Sequence, residues 1–132
     1  VLEAIGYDYM EITDTYRAAG VDLSRITVTE GGSRDSLWNQ IKADMLAADV
    51  VRFRTAGGAV VTNCVFAAKA AGDVEDVTQA LSQTFVKDAQ YQPNETNTRL
   101  YRKLFNLKTK LVKDDMKAAF DTLAAMRPEK IR

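Results

Sequence analysis

Histidine is absent from these 132 residues, cysteine occurs once and proline twice. Without histidine the chain lacks the commonest general base and the commonest zinc ligand, which excludes serine-histidine triads and histidine-held zinc hydrolysis. The single cysteine, Cys64, makes no internal disulfide, and an unpaired thiol fits a reducing cytoplasm. Long apolar runs are missing too. The most apolar stretch, Ala59 to Ala71, is interrupted by Thr62, Asn63 and Lys69 and falls short of the roughly eighteen residues that a membrane span needs. A basic start followed by an apolar signal core is likewise missing from these residues, and no export signal is expected.

What is present is the composition of a globular domain: 46% hydrophobic and 27% charged residues, with 18 basic and 18 acidic side chains. A chain of this size buries roughly two-thirds of the surface its unfolded form exposes, so it builds a core without disulfides or metal. The zero net charge hides an asymmetry: residues 1–83 hold seven basic and twelve acidic side chains, residues 84–132 eleven and six. The basic half interleaves its lysines with Asp114, Asp115 and Asp121, the pattern of a solvated helix face and not of a nucleic-acid surface. Neither nucleic acid nor membrane is expected as a partner.

Leu2, Ile5, Tyr9, Ile12 and Tyr16 recur at helical spacing, predicting an amphipathic helix that ends near Gly20. The stripe is already running at Leu2 with no capping residue before it, so Val1 reads as an internal position of a longer protein. Next come a short β-branched run, Arg25 to Thr29, then Gly31-Gly32, and a helix in which Leu37, Ile41 and Met45 share a face. A second strand, Val50 to Phe53, leads through Gly57-Gly58 into a helix from Ala59 to Ala71, stopped at Gly72. Strand, crossover helix and strand make a βαβ unit with parallel neighbours. Val74 to Val86 reads as a helix and Tyr91 to Asn94 as a turn. A long helix from Thr98 to Met126 follows, carrying Leu104, Leu107, Leu111, Met116, Phe120 and Leu123, with Pro128 beyond it. Two parallel strands do not make a sheet alone, so further strands belong upstream.

The informative segment joins the first strand to its helix: Thr29-Glu30-Gly31-Gly32-Ser33-Arg34-Asp35-Ser36, then Leu37-Trp38-Asn39-Gln40-Ile41-Lys42-Ala43-Asp44. Glycines at the end of a parallel strand, directly before a helix N-terminus, let backbone N–H groups approach an anion, and the helix dipole favours negative charge there. The same glycines also serve as a plain tight turn, and Ser33 and Asp35 as helix caps.

This stretch resembles the nucleotide-binding segment of the FGGY carbohydrate kinases, sugar kinases of the actin-like ATPase superfamily, whose pattern runs Thr-Gly-Gly-Gly-Ala-Arg/Lys-Ser-x-x-Trp-x-Gln-x-x-Ala-Asp. Thr29, Gly31, Gly32, Arg34, Trp38, Gln40, Ala43 and Asp44 match in one ungapped register. Leu2-Glu3 resembles the start of the family's Glu-Gly helix, Ala67-Ala68 its alanine-rich helix, and Tyr91 to Tyr101 its C-terminal stretch. The leaning is toward xylulose-kinase-like members. The resemblance implies an α/β fold: a partial actin-like (ribonuclease H-like) domain with a βαβ unit and several helices, ending in a long C-terminal helix. Residues 1–132 would then be one partial domain, with the N-terminal domain and the first strands absent. It further implies ATP and Mg2+ as cofactors in the full-length enzyme and a sugar hydroxyl, of xylulose or a related pentulose or polyol, as acceptor. Gly31 and Gly32 would lie against the phosphates and ribose, Ser33 beside them, and Asp35 would face the adenine. No catalytic residue is expected in the fragment, which alone should be inactive, and a homo-oligomer is open to it through its uncovered strand edge.

Two departures carry a different implication. Glu30 stands at the first glycine of the family's triplet, where a carboxylate opposes a polyphosphate, and Thr62-Asn63-Cys64 replaces Gly-Ala-Ala in the later helix. They leave open a non-catalytic binding or assembly module on an actin-like scaffold. Among the remaining side chains, Trp38 reads as a core anchor and Cys64 as a small buried hydrophobe. Gln40 suits a backbone turn as well as a ligand. Arg52 and Arg54 read as exposed charges, and Asp73, Glu75, Asp76, Asp114 and Asp115 as helix-end and surface charges without metal-ligand spacing.

Overall fold

Helix α1 spans Leu2–Ala18 and stops where glycine permits a left-handed residue: Gly20 has φ +83°. The Val21 N–H donates to the Tyr16 carbonyl at 3.0 Å and the Gly20 N–H to that of Arg17 at 2.9 Å, the paired bonds that close a helix C-terminus. The computed structural model describes residues 1–29, 31–54 and 58–126; Glu30, Gly57 and Pro128, each read above, lie outside them.

The face that α1 buries is not its most apolar one. Ile5, Tyr9, Ile12 and Tyr16 are 40% to 54% exposed, while Gly6, Met10 and Thr13 are buried. The reason is close packing on the helix that carries Met45. A Cβ added at Gly6 would lie 2.2 Å from the sulfur of Met45, itself only 1% exposed, so the two helices meet where one has no side chain.

Strand β1 (Arg25–Val28) and strand β2 (Asp49–Phe53) are parallel, with Ile26 opposite Val50 and Val28 opposite Arg52, and helix α2 (Ser36–Leu46) connects them as the βαβ reading predicts. Leu37, expected on the core face of α2, is 65% exposed, whereas Trp38, Asn39, Lys42 and Asp44 are buried beside Met45 and Leu46. Helix α3 (Gly58–Ala71) ends at Gly72, which has φ +89°. It buries none of its residues, and Cys64 is exposed, against the expectation of a buried thiol. Among the described residues α3 packs chiefly on α4, so most of its apolar surface stays uncovered.

The expected helix from Val74 to Val86 shrinks to α4 (Val77–Thr84), because Asp76 caps it by accepting from the Gln79 N–H at 3.0 Å. Lys87–Tyr91 then forms β3, antiparallel to β2, in a sheet of order β1-β2-β3. Tyr91 therefore belongs to a strand and not to the turn. Helix α5 (Glu95–Lys110) starts before Thr98, since the Asn94 side chain accepts from the Thr96 and Asn97 N–H groups at 3.0 and 3.2 Å. The single long helix expected to Met126 is also interrupted: a π-turn at Leu111–Asp115, in which the Met116 N–H reaches the Leu111 carbonyl at 2.9 Å, separates α5 from α6 (Lys117–Ala125). Leu104, Leu107, Leu111, Met116, Phe120 and Leu123 are 38% to 63% exposed, and Phe105 is the residue that α5 buries.

The core, Met10, Met45, Leu46, Ala48 and Phe105 with Tyr7, Ile26, Ile41 and Tyr101 around it, lies between α1, α2 and α5. A two-pronged ion pair, Arg102 Nη1 and Nη2 to the Asp14 carboxylate at 2.5 and 3.0 Å, ties α5 to α1. No helix among the described residues is long and apolar enough to cross a membrane.

Candidate functional site

Strand β1 ends at Val28, and Gly31–Ser33 turns through one 3-10 loop into the N-terminus of α2. Asp35 caps that helix, its Oδ1 accepting from the Trp38 N–H at 3.0 Å. The capping reading of Asp35 is thus present in the structure, on an otherwise exposed side chain. Gly31 and Gly32 are exposed, and a Cβ built on either meets nothing within 4 Å. Ser33 lies beneath them, 6% exposed.

The carbonyl oxygens of this turn all point to internal donors. Gly31 accepts from the Arg34 N–H at 3.3 Å, Gly32 from Lys42 Nζ at 3.3 Å, Ser33 from Asn39 Nδ2 at 2.6 Å and Arg34 from Arg52 Nη1 at 3.4 Å. The negative ends of four consecutive peptides are therefore occupied. The bare glycines precede the positive end of α2, and the carbonyls of Gly31 to Arg34 are turned to these donors. Arg52, half-buried, also forms an ion pair with Asp88. Next to the turn lies a cavity of about 360 Å³, lined among others by Tyr9, Thr13, Thr29, Gly32, Trp38 and Lys42.

Trp38 is the core anchor that its helical position suggests: it is 7% exposed and stacks on Tyr9 with ring centres 6.2 Å apart. Lys42 places its ammonium 4.8 Å from the centre of the Trp38 ring. Burial pulls the Lys42 pKa below the usual lysine value, opposed by the attraction of the Asp35 carboxylate. Sequence reasoning passed over both Asn39 and Lys42. Their spacing of three residues on the buried face of α2 was the signal available.

The second half of the motif proves structural. Asp44, 3% exposed, accepts from Gln40 Nε2, the Asn94 N–H and Asn97 Nδ2, each at 2.8 Å. Gln40 also donates to the Gln92 carbonyl at 2.9 Å. These two side chains staple α2 to the start of α5, fifty residues later in the chain. They do not join the glycine turn.

Nearby, the Tyr101 hydroxyl donates to Glu3 at 3.1 Å. Burial first, then the Glu3 hydrogen bond and the charges of Glu3 and Asp44, push its pKa from 10.0 to about 12. The neutral phenol is favoured by folding, so its contribution is whole below pH 10.0 and is lost as pH rises toward about 12. Absorbance at 295 nm should show a phenolate step near pH 12 that Tyr101→Phe removes. A Tyr101→Phe titration identical to that of the unaltered chain would refute this.

Comparison with known proteins places these elements. The profile of the FGGY family of carbohydrate kinases, C-terminal domain, matches residues 1–71. A xylulose kinase of Escherichia coli (strain K12) is 32% identical over 119 residues, covering 81% of this chain and 24% of that protein. Among solved structures, a gluconate kinase from Lactobacillus acidophilus superposes with a TM-score of 0.78 at 20% identity, covering 93% of this chain and 25% of the other. A xylulose kinase from Rhodospirillum rubrum superposes with a TM-score of 0.66 at 22% identity, covering 94% and 24%. The mixed α/β fold is therefore that of the actin-like sugar kinases, and the chain spans between 21% and 25% of the length of the curated relatives it matches.

Proposed function

Because this chain belongs to the FGGY family of carbohydrate kinases, we propose that residues 1–132 are one partial domain, the nucleotide-binding C-terminal part of an enzyme that moves the γ-phosphate of ATP to a sugar hydroxyl. The observation that carries this reading is the glycine turn whose four carbonyls are all engaged inward beneath two uncovered glycines. Gly31 and Gly32 take the phosphates and ribose, Ser33 contributes backbone from below, and the Asp35 carboxylate lies at the adenine end. Phosphoryl transfer asks little covalent chemistry of this half. Its work is to hold the nucleotide in line with a hydroxyl that another domain activates.

A Cβ on Gly31 or Gly32 meets nothing within 4 Å among the described residues, which supports close approach of a polyphosphate to this backbone. Mg2+ would arrive bound to the nucleotide phosphates, as is usual for this ion. The acceptor we assign is xylulose or a related pentulose or polyol, in keeping with the xylulose kinase of Escherichia coli. The compartment is the cytoplasm, where the exposed thiol of Cys64 stays reduced.

Calorimetric titration of the chain with ATP and Mg2+ tests the reading. Binding with a Kd between about 1 μM and 1 mM, a range common for enzyme substrates, is expected, together with no phosphorylation of any pentulose or polyol. Absence of binding at millimolar nucleotide favours the second reading, an assembly module without nucleotide. The exposed Asn63 and Cys64 on α3 are the observation behind that alternative.

A further inference from the structure

Lys42 occupies a position that the family pattern leaves open, and it is 7% exposed. Among the described residues no carboxylate stands within ion-pair distance of its ammonium. Instead Nζ donates to the Gly32 carbonyl at 3.3 Å and to Asn39 Oδ1 at 3.2 Å, with the Trp38 ring on another side. Asn39, oriented by that contact, uses Nδ2 to hold the Ser33 carbonyl at 2.6 Å. Two of the four inward carbonyls thus depend on one cation. A buried charge held by dipoles and a ring face, with the Asp35 carboxylate acting on it from beyond ion-pair distance, keeps part of its field, and that field acts across the thin glycine turn.

We propose that Lys42 is a positioning residue for a polyphosphate at the Gly31–Ser33 turn: it draws the Gly32 carbonyl away from the open side and sets a positive charge behind the glycines. This rests on the nucleotide reading of the same turn. Arg52, by contrast, is largely neutralised by Asp88. Asp35, at the cap of α2, is the carboxylate whose charge acts on Lys42; the cavity that Lys42 lines is shared, among others, with Tyr9 and Thr13 of α1 and with Thr29 just after β1.

The test uses the whole chain and three variants, K42R, K42Q and K42M, titrated with inorganic tripolyphosphate. Emission of Trp38, the single tryptophan, and the amide resonances of Gly31 to Arg34 are followed. K42Q and K42M should each weaken tripolyphosphate binding about tenfold, and K42R should stay within about threefold of the unaltered chain, because charge and not volume is the requirement. The Gly32 and Ser33 amide resonances should move in K42M and return toward their original positions in K42R. Equal affinity in K42Q and the unaltered chain, or a K42R as weak as K42M, overturns the proposal. Should the unaltered chain bind no phosphate at all, the nucleotide reading falls by itself. Unmoved amide resonances in a folded K42M would overturn the hold of Lys42 on the turn, whatever the phosphate does.

Discussion

Asp44→Ala is expected to cost about 3 kcal/mol or more of unfolding free energy, since hydrogen bonds to a charged acceptor contribute roughly 1.5–3 kcal/mol each and orphaned buried donors add desolvation. Three donors converge on this carboxylate, from Gln40, the Asn94 backbone and Asn97; alanine removes the acceptor from all three and leaves Gln40 only its bond to the Gln92 carbonyl. The midpoint of thermal unfolding should fall by roughly 10 °C, the shift that such a loss produces in a chain of this size. Asp44→Asn should recover little, because its amide introduces a fourth donor among three. The damage should also be local: amides of the first turn of α5, capped by Asn94, should lose hydrogen-exchange protection before those of α1. Urea unfolding of Asp44→Ala, Asn97→Ala and the double variant should give a coupling of about 1 kcal/mol or more. An Asp44→Ala protein within about 1 kcal/mol of the original would show that the staple does not hold α5 in place.

Gly32→Leu should do the reverse, leaving stability almost untouched and removing nucleotide binding. A Cβ at Gly32 meets nothing within 4 Å and the residue shows no positive φ, so the folded backbone accepts a side chain there. Replacing glycine also restricts the unfolded chain, so the melting curve should move by less than about 1 kcal/mol in either direction. The added isobutyl group, however, fills the space into which the phosphates would come and forces backbone and anion apart. Affinity for ATP should fall by about a hundredfold or past detection, as expected when close backbone approach to an anion is blocked. Calorimetry decides: ATP binding by Gly32→Leu as tight as that of the original chain would move the nucleotide away from this turn. The contrast with Gly6 is useful, because there a Cβ would strike Met45 and the same replacement should destabilise the fold.

The second half of the motif is structural, and a sequence pattern alone does not reveal that. Trp38, Gln40 and Asp44 match the resemblance as fully as Gly31 and Gly32 do, yet the first anchors the core and the other two reach across to α5. Nothing within the sixteen residues from Thr29 to Asp44 tells which side chain finds its partner fifty positions downstream. Strand β3 was hidden for a related reason. Lys-Asp-Ala-Gln-Tyr offers only Ala89 and Tyr91 as an alternating face, too short to stand out, and it pairs because β2 offers it an open edge. Helix α1 misled in the opposite way. Its most apolar stripe remains largely outside, since close approach to Met45 at Gly6 decides which side turns inward.

Local chemistry was enough to determine the βαβ unit, its parallel strands, the glycine stops at Gly20 and Gly72 and the glycine turn before α2. Each depends on residues that are neighbours in the chain, where backbone preference and helix capping act over a few positions. The tertiary structure alone decided which helix faces are buried, that β3 joins the sheet, that Cys64 is exposed, and that Lys42 and Asn39 hold the carbonyls of the turn. Those outcomes come from packing and from satisfying buried polar groups between distant segments. Such forces depend on what lies opposite a residue in space, which its neighbours in sequence do not encode.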